Sequence, residues 1–184
     1  MALSLLLMTI DEKRNVMVEI PLFQHILVPV DFSPCSCEAY RMALQFARLF
    51  QSHILLLHVI DTNSLTALNR LGLAVPSEET SQKKRLRHQA RLFARELLQM
   101  KETRGLKITR MFREGNPFAE IARIARMEQV DLVIMGSYGG QTGDVERIFF
   151  GSTAEQVVRT VNCPVLCVPF PFFDSSRKRP PNGS

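Results

Sequence analysis

Short runs of apolar residues alternate along the chain with longer stretches in which apolar side chains recur every three or four positions. The runs predict buried β-strands, and the longer stretches predict amphipathic α-helices. Five strands are predicted, at residues 25–30, 54–60, 106–112, 130–135 and 165–168. Four helices are predicted between them, beginning at Pro34, Glu78, Pro117 and Ser152.

Strands that alternate with helices favour parallel pairing through right-handed crossover connections. The strands are almost continuously hydrophobic, which is typical of a sheet whose two faces are both covered. The pattern therefore predicts an α/β fold: a five-stranded parallel doubly wound (Rossmann-like) sheet with helices on both faces. The expected strand order is 3-2-1-4-5 in chain numbering, which places the switch in strand order between the first and fourth strands.

Two helix starts carry a strong local signal. Ser33 and Asn116 each precede a proline, so a capping side chain is followed by a residue suited to the first helical position. The apolar spacing then assigns each helix a buried face. These faces comprise Ala39, Met42, Ala43, Phe46, Ala47 and Phe50 in the first helix, Leu86, Ala90, Phe93 and Leu97 in the second, Phe118, Ile121, Ala122 and Ala125 in the third, and Ala154, Val157, Val158 and Val161 in the last.

Length and composition fit one globular domain, since the chain has 184 residues of which 46% are hydrophobic. We expect this domain at residues 23–170, with an N-terminal extension at 1–22 and a disordered basic tail at 171–184. The apolar start is too short to span a bilayer and lacks the features of a secretory signal. A cytoplasmic protein without a transmembrane segment is expected; a surface anchor, or a later start at Met8 or Met17, stays open.

Charge adds little to this picture. The formal net charge is +5, and the densest basic cluster, at residues 83–87, is expected to form the solvated face of a helix. No zinc-finger spacing or aromatic RNA-binding motif occurs, so neither specific nucleic-acid binding nor a metal site is expected. Residues 62–77 contain Gly72 and Pro76 without a clear period, which favours a loop that can act as a lid.

The four cysteines are expected to be reduced, because no secretory signal precedes them. Cys163 and Cys167 flank the core of the last predicted strand and are expected to behave as small buried hydrophobes. Cys35 and Cys37 lie in the first turn of a predicted helix, where the helix dipole favours the thiolate. A thiol-based redox sensor at this pair is therefore one alternative function.

Candidate chemistry is concentrated where strands end. The first strand is followed by Asp31, whose carboxylate can accept hydrogen bonds from ribose hydroxyls or an adenine amino group; capping of the next helix is the structural alternative. Pro29 has no N–H to donate to the sheet and can form an apolar wall for a base. Val30 lies between them. The segment around Val59, at the end of the second strand, offers backbone groups that can read an adenine edge.

The fourth strand is followed by glycines. Gly136 and Gly139 permit the backbone angles and the close approach that a phosphate-binding turn needs. Gly151 and Ser152 open the last helix, where a phosphate would meet backbone N–H groups, the helix dipole and a hydroxyl together. Arg147 can add a charge-assisted contact.

Several segments together resemble the universal stress protein family, from about residue 25 to residue 169. They are Ile26–Ser33, Leu57–Asp61, Asp131–Ser137, Gly151–Val157 and Asn162–Leu166. The resemblance implies the same sheet order, a homodimer and, in a subgroup that carries Gly-x2-Gly-x9-Gly-[Ser/Thr], bound ATP. It also implies that Pro29, Asp31 and Val59 line the adenosine, and that the ribose and phosphates lie near Met135, Gly136, Gly139, Gly151, Ser152 and Thr153.

The chain departs from the subgroup motif in one place, because residues 140–150 are two more than the motif allows. Two additional loop residues cost little to close, although Asp144 and Glu146 would bring negative charge towards a triphosphate. We therefore expect ATP with magnesium as the ligand, and AMP or ADP as alternatives.

The expected function is that of a stress-response regulatory protein and not an enzyme. No Walker lysine, catalytic triad or Cys-x-x-Cys motif occurs, so at most slow ATP hydrolysis is expected. The apolar last strand, Val165 to Val168, would expose a flat edge unless it paired with its copy, which favours a homodimer. A dimeric stress or interaction protein that binds no nucleotide is the other alternative.

Overall fold

The computed structural model describes residues 8–11, 16–19, 23–62, 76–138 and 150–170. Its strands are β1 (Met8–Asp11), β2 (Val16–Glu19), β3 (His25–Pro29), β4 (His53–Asp61), β5 (Lys107–Gly115), β6 (Leu132–Gly136) and β7 (Val165–Val168). The last five form one parallel sheet in the order β5-β4-β3-β6-β7. Counted from β3, this is the predicted order 3-2-1-4-5, so the predicted fold is confirmed.

Helices cover both faces of this sheet. They are α1 (Pro34–Phe50), α2 (Pro76–Gln99), α3 (Pro117–Met127) and α4 (Ser152–Thr160), with a short 3₁₀ turn at Lys101–Thr103. One hydrophobic core forms between the sheet and the layer of α1 and the end of α2. A second core forms between the sheet and the layer of α3 and α4.

The side chains of the central strands point alternately to the two faces of the sheet and so contribute to both cores. In β3, Ile26 and Val28 belong to the core beneath α1, whereas Leu27 belongs to the core beneath α3 and α4. In β4, Leu55 and Leu57 likewise join the second core. Successive side chains of a strand point to opposite faces, so a strand covered on both sides is hydrophobic at every position. This explains the continuous apolar runs in the sequence.

Both predicted helix caps are confirmed. The Ser33 hydroxyl accepts a hydrogen bond from Ser36 N at 3.3 Å, and Asn116 Oδ1 accepts one from Ala119 N at 3.4 Å. In each helix a proline follows the cap at the start. Each cap satisfies a backbone donor that the first turn leaves unpaired. The residues immediately around each helix start thus determine where α1 and α3 begin.

The predicted buried faces are wrong at two positions. The stripe of α2 runs through Ala90 and Ala94, whereas Phe93 is 47% exposed. In α4, Val158 is 49% exposed. The apolar stripe of a helix is about 100° wide, and the neighbouring element decides which side chains at its margins are covered. α2 also begins at Pro76, slightly before its predicted start.

The N-terminal extension contains an antiparallel strand pair that the sequence analysis did not predict. β1 and β2 pair from Met8 with Glu19 to Asp11 with Val16. Most of the predicted lid (63–75), the segment 139–149 and the predicted tail (171–184) lie outside the described residues. Within the described residues, no helix combines the length and the apolar character that a bilayer crossing requires.

Candidate functional site

A crevice opens at the switch point because β3 and β6 pair over a short stretch. Their register ends with Leu27 opposite Val133, whereas β3 stays paired with β4 as far as Pro29 opposite Leu57. Pro29 has no N–H to donate, so it suits a strand position from which one neighbour has already diverged. The carboxyl ends of β3, β4 and β6 therefore surround a gap, in the place where doubly wound sheets bind ligands.

A cavity of about 430 Å³ occupies this gap. Small-molecule sites enclose roughly 300–1,000 Å³, so its size suits a nucleotide-sized ligand. Two of the predicted binding residues, Gly139 and Arg147, lie outside the described residues, and their contacts stay predictions. The structure places all the others on the lining of this one cavity: Pro29, Val30, Asp31, Val59, Met135, Gly136, Gly151, Ser152 and Thr153.

Further lining residues were not selected from the sequence. Asp61 ends β4, just as Asp31 follows β3. Asp31 was selected because it lies at the end of a strand, and the same reasoning would have selected Asp61. Pro117 and Ile121 come from α3, where the sequence signal indicates only a helix start and a core position. Their place in the cavity depends on how α3 packs over the sheet. The full set that sequence reasoning missed is Ser36, Leu57, Asp61, Pro117, Ile121, Tyr138 and Ala154.

Asp31 has a structural role as well as a position on the cavity. Its Oδ1 accepts hydrogen bonds from Ser33 N at 3.0 Å and from Ser33 Oγ at 2.6 Å. Asp31 therefore orients the residue that caps α1, which is the structural alternative of the sequence analysis. Its side chain is nevertheless exposed, and no described residue hydrogen-bonds to Oδ2. One carboxylate oxygen thus orients the helix cap, and the residue itself is part of the cavity lining.

The residue after Asp31 is held in an unusual conformation. Phe32 has a φ of 64°, a left-handed backbone angle that is strained for a bulky side chain. Its ring lies 4.7 Å from the His58 ring and 5.1 Å from the Phe93 ring, measured between centroids. His58 Nδ1–H donates to Val30 O at 2.7 Å, since a carbonyl can only accept. Burial lowers the pKa of His58, which favours the neutral imidazole.

At position 136 a glycine is required for a reason that the sequence did not indicate. It lies in β6, and a Cβ there would be 3.0 Å from Cys35 Sγ and 3.1 Å from both Cys35 C and Ser36 N. The latter two are backbone atoms of α1, which cannot move independently of the helix. The absence of a side chain therefore lets α1 pack closely on β6. Gly136 also lines the cavity, and the close approach of a ligand to it stays a prediction.

The N-terminus of α4 forms another wall of the cavity. Gly151 donates its N–H to Ser137 O at 2.7 Å, and its carbonyl accepts from Glu155 N at 3.0 Å. The N–H groups of Ser152 and Thr153 lie in the first turn, where a helix supplies no backbone acceptor. The described lining contains no lysine, arginine or histidine. Among the described residues, the positive potential at the cavity therefore comes from helix N-termini: that of α4, and those of α1 and α3, which contribute Ser36 and Pro117 to the lining.

The surroundings of Cys35 and Cys37 do not favour the alternative function of a thiol sensor. Cys35 is buried, and its Sγ donates to Val168 O at 3.1 Å. Burial raises the pKa of the Cys37 thiol, which is opposite to the shift expected from the helix dipole. A reactive cysteine needs both access and a lowered pKa; Cys35 lacks the first and Cys37 lacks the second. Cys163 and Cys167 are partly buried against the second core, where burial raises the pKa of each.

Comparisons with known proteins place this site in a family context. The model of the universal stress protein family matches residues 22–169. Universal stress protein MJ0531 of Methanocaldococcus jannaschii is 33% identical over 150 residues, which cover 82% of this chain and 84% of that protein.

Solved structures with the same fold include two of particular interest. The structure of hypothetical protein MJ0577, from the same archaeon, has a TM-score of 0.68 at 31% identity and covers 81% of this chain and 97% of its own. The universal stress protein from Archaeoglobus fulgidus in complex with dAMP has a TM-score of 0.50 at 20% identity, with coverages of 80% and 99%. At that identity the second likeness shows the fold alone.

Proposed function

Because the chain belongs to the universal stress protein family, we propose that it is a stress-response regulatory protein that binds an adenine nucleotide. The proposed site is the cavity at the carboxyl ends of β3, β4 and β6. One observation carries the proposal: residues selected from the sequence for a base, a ribose and a phosphate line a single cavity although they come from distant parts of the chain.

The base and ribose fit the half of the cavity formed by β3 and β4. Pro29, Leu57 and Val59 supply apolar surface, which favours burial of a flat heterocycle. Asp31 retains an exposed carboxylate oxygen that can accept hydrogen bonds from the ribose hydroxyls. This division of apolar and polar groups is typical of sites that orient a nucleoside.

The phosphates fit the half of the cavity formed by α4. The first-turn N–H groups of Ser152 and Thr153 are available to an anion, and both residues also carry a hydroxyl. A helix N-terminus carries roughly half an elementary positive charge. The described lining also holds the carboxylates of Asp31 and Asp61, so we propose that bound magnesium accompanies a triphosphate.

The long glycine-containing loop is compatible with this proposal. The residues that flank it, Ser137 and Gly151, are joined by a hydrogen bond of 2.7 Å. The loop ends are thus held together despite the two additional residues, and loop-closure entropy rises only slowly with length. We therefore propose ATP as the ligand, with AMP and ADP as alternatives. The Archaeoglobus structure of the same fold is a complex with dAMP, so this fold can accommodate an adenine nucleotide.

Thermal unfolding in the presence of nucleotides tests the proposal. ATP with magnesium should raise the Tm, because a ligand at about one hundred times its Kd stabilises the folded state by about 2.7 kcal/mol. Thr153→Glu should abolish this increase, since a carboxylate would occupy the phosphate position. An acidic residue in the first turn of a helix stabilises the helix, so loss of binding would not reflect unfolding.

Gln156→Glu is the matched control. It adds the same charge to an exposed position of α4 that does not line the cavity, and the ATP-dependent increase in Tm should persist. The same measurement with ADP, AMP and GTP ranks the ligands by the increase in Tm that each one causes. An unchanged Tm with every adenine nucleotide at millimolar concentration would refute the proposal.

We propose regulation by binding and not by turnover. The described lining offers no lysine or histidine to orient an attacking water or to stabilise a leaving phosphate, and phosphoryl transfer depends on such positioned groups. At most, Asp31 could orient a water. ATP hydrolysis by the purified protein should equal the background rate; turnover that Asp31→Asn removes would show a slow ATPase instead.

We also propose a homodimer joined through β7. This strand lies at one end of the sheet, and β6 is its only partner among the described strands. Val165 and Leu166 are only partly buried in the monomer, and Phe170 beyond the strand is exposed. Pairing with a second β7 across a two-fold axis would satisfy the free backbone edge and cover these side chains.

A further inference from the structure

A second concave surface lies between α2 and β5, at the opposite end of the sheet from β7. It encloses about 470 Å³. We call it the β5 groove. Its lining combines four basic side chains with two apolar ones and includes no acidic residue; the residues are His88, Arg91, Leu92, Arg95, Arg110 and Phe112.

The arginines of the β5 groove are not compensated by the described part of the chain. Arg91, Arg95 and Arg110 are exposed, and no described acidic side chain forms an ion pair with them. Nearby, Arg87 is paired with Glu114, outside the groove lining. Unpaired like charges in one concavity produce a positive potential that attracts an anionic partner.

β5 also offers a free backbone edge beside these charges. All nine of its residues, Lys107 to Gly115, are paired with β4 on one side. No described strand pairs with its other side. An unpaired edge of this length presents alternating N–H donors and carbonyl acceptors, which a further strand can satisfy. Arg110 and Phe112 project from this strand into the groove.

Protection of the edge strand does not explain the whole pattern. Charged side chains on an edge strand often prevent unwanted pairing, and Arg110 alone could serve that purpose. His88, Arg91 and Arg95 lie on α2, which is a helix without an edge to protect. Leu92, an exposed apolar residue, lies among them. A lining that combines basic with apolar side chains instead favours a ligand with both acidic and apolar side chains.

We propose that the β5 groove binds an extended acidic segment of a partner protein, which adds a strand to β5 and places its carboxylates against Arg91, Arg95 and Arg110. A second copy of this chain fits poorly, because a two-fold contact would bring the same cations together. A nucleic acid fits less well than a peptide, because its phosphates would meet the carbonyls of the strand edge as well as the N–H groups. This proposal is independent of the nucleotide site.

Binding of a defined peptide to the full chain tests the proposal. The probe is a fluorescent peptide of roughly eight alternating glutamate and valine residues, which as a strand would place one residue type on each face. It should bind the protein and slow amide hydrogen exchange at residues 107–115. The same peptide with lysine in place of glutamate should not bind. Arg91→Glu should weaken binding by about tenfold or more, since arginines at such contacts carry much of the affinity.

Arg85→Glu is the matched control for that variant. It makes the same charge change at an exposed position of α2 outside the groove, and peptide affinity should change by much less. Equal losses for the two variants, or no binding of the glutamate peptide, would overturn the proposal. Tighter binding of a single-stranded oligonucleotide at the same residues, or self-association that Arg91→Glu removes, would overturn it in favour of those occupants.

Discussion

At the scale of single residues, the two tyrosines hold their hydroxyl groups in opposite environments. Tyr40 of α1 is fully buried, and its Oη has no hydrogen-bond partner among the described atoms. Burial raises the pKa of Tyr40, so the side chain is neutral. Tyr138 Oη, by contrast, donates to Phe170 O at 3.0 Å. A buried hydroxyl without a partner destabilises the folded state, whereas a satisfied one stabilises it.

Removal of each hydroxyl should therefore change stability in opposite directions. Tyr40→Phe should raise the free energy of unfolding by about 1 kcal/mol, because the substitution removes only the unpaired polar atom. Tyr138→Phe should lower it by about 1 kcal/mol through the lost hydrogen bond. Urea unfolding of both variants measures the two changes. A loss of stability in Tyr40→Phe equal to that in Tyr138→Phe would contradict the unpaired environment of Tyr40.

At the scale of elements, the contact between β6 and α1 depends on Gly136. The backbone atoms Cys35 C and Ser36 N lie 3.1 Å from the position of a Cβ at residue 136. A methyl group there would push α1 away from the sheet, and α1 also carries the cap that Asp31 orients. The close contact of α1 with β6 thus positions two elements that contribute Ser36 and Gly136 to the lining of the cavity.

Gly136→Ala should lower the free energy of unfolding by about 2 kcal/mol, because overpacking of this size typically costs 1–3 kcal/mol. Gly105→Asn is the control: its Cβ would meet nothing within 4 Å, and its φ of +77° is an angle that asparagine tolerates. That variant should unfold with nearly the wild-type denaturant midpoint. Equal denaturant midpoints for wild type and Gly136→Ala would contradict this prediction, because they would show that α1 can shift to make room for the methyl group without loss of stability. Substitutions at Gly136 are therefore unsuitable for testing nucleotide binding.

At the scale of the whole molecule, the proposed dimer can be tested without disturbing the monomer core. Phe170 is 39% exposed beyond β7, and Leu49 is 68% exposed at the end of α1. Phe170→Asp should shift sedimentation at micromolar concentration towards the monomer, because it places a charge at the proposed interface. Leu49→Asp, the matched control, should leave the dimer intact. A wild-type protein that sediments only as a monomer would refute the dimer.

Much of the fold was predictable because its signals are local. The caps at Ser33 and Asn116 involve neighbours three residues away, and the alternation within β3 and β4 follows from strand geometry. The misassigned faces at Phe93 and Val158 were not predictable in this way. Their exposure depends on where α2 and α4 rest on the sheet, which is a matter of tertiary packing. The pairing of β1 with β2 likewise gave no recognised signal.

Some residues of the candidate site were likewise predictable from the sequence, and others were not. Strand ends and glycines select Asp31, Gly136 and Gly151 from the sequence, because ligands of a doubly wound sheet bind at the carboxyl ends of its strands. Pro117 and Ile121 reach the cavity only through the packing of α3 over the sheet, and no local pattern identifies them. No local pattern identifies the β5 groove either, because α2 and β5 supply its basic side chains from separate parts of the chain.

The sequence by itself determined the five strands of the parallel sheet, the four helices, the strand order and the region of the site, because periodicity, caps and crossover handedness act over short range or by general rule. The tertiary structure alone decided that Gly136 makes room for α1 and that the Cys35 thiol is buried against Val168. Each of these depends on distances between distant segments, and such distances exist only once the helices have packed on the sheet.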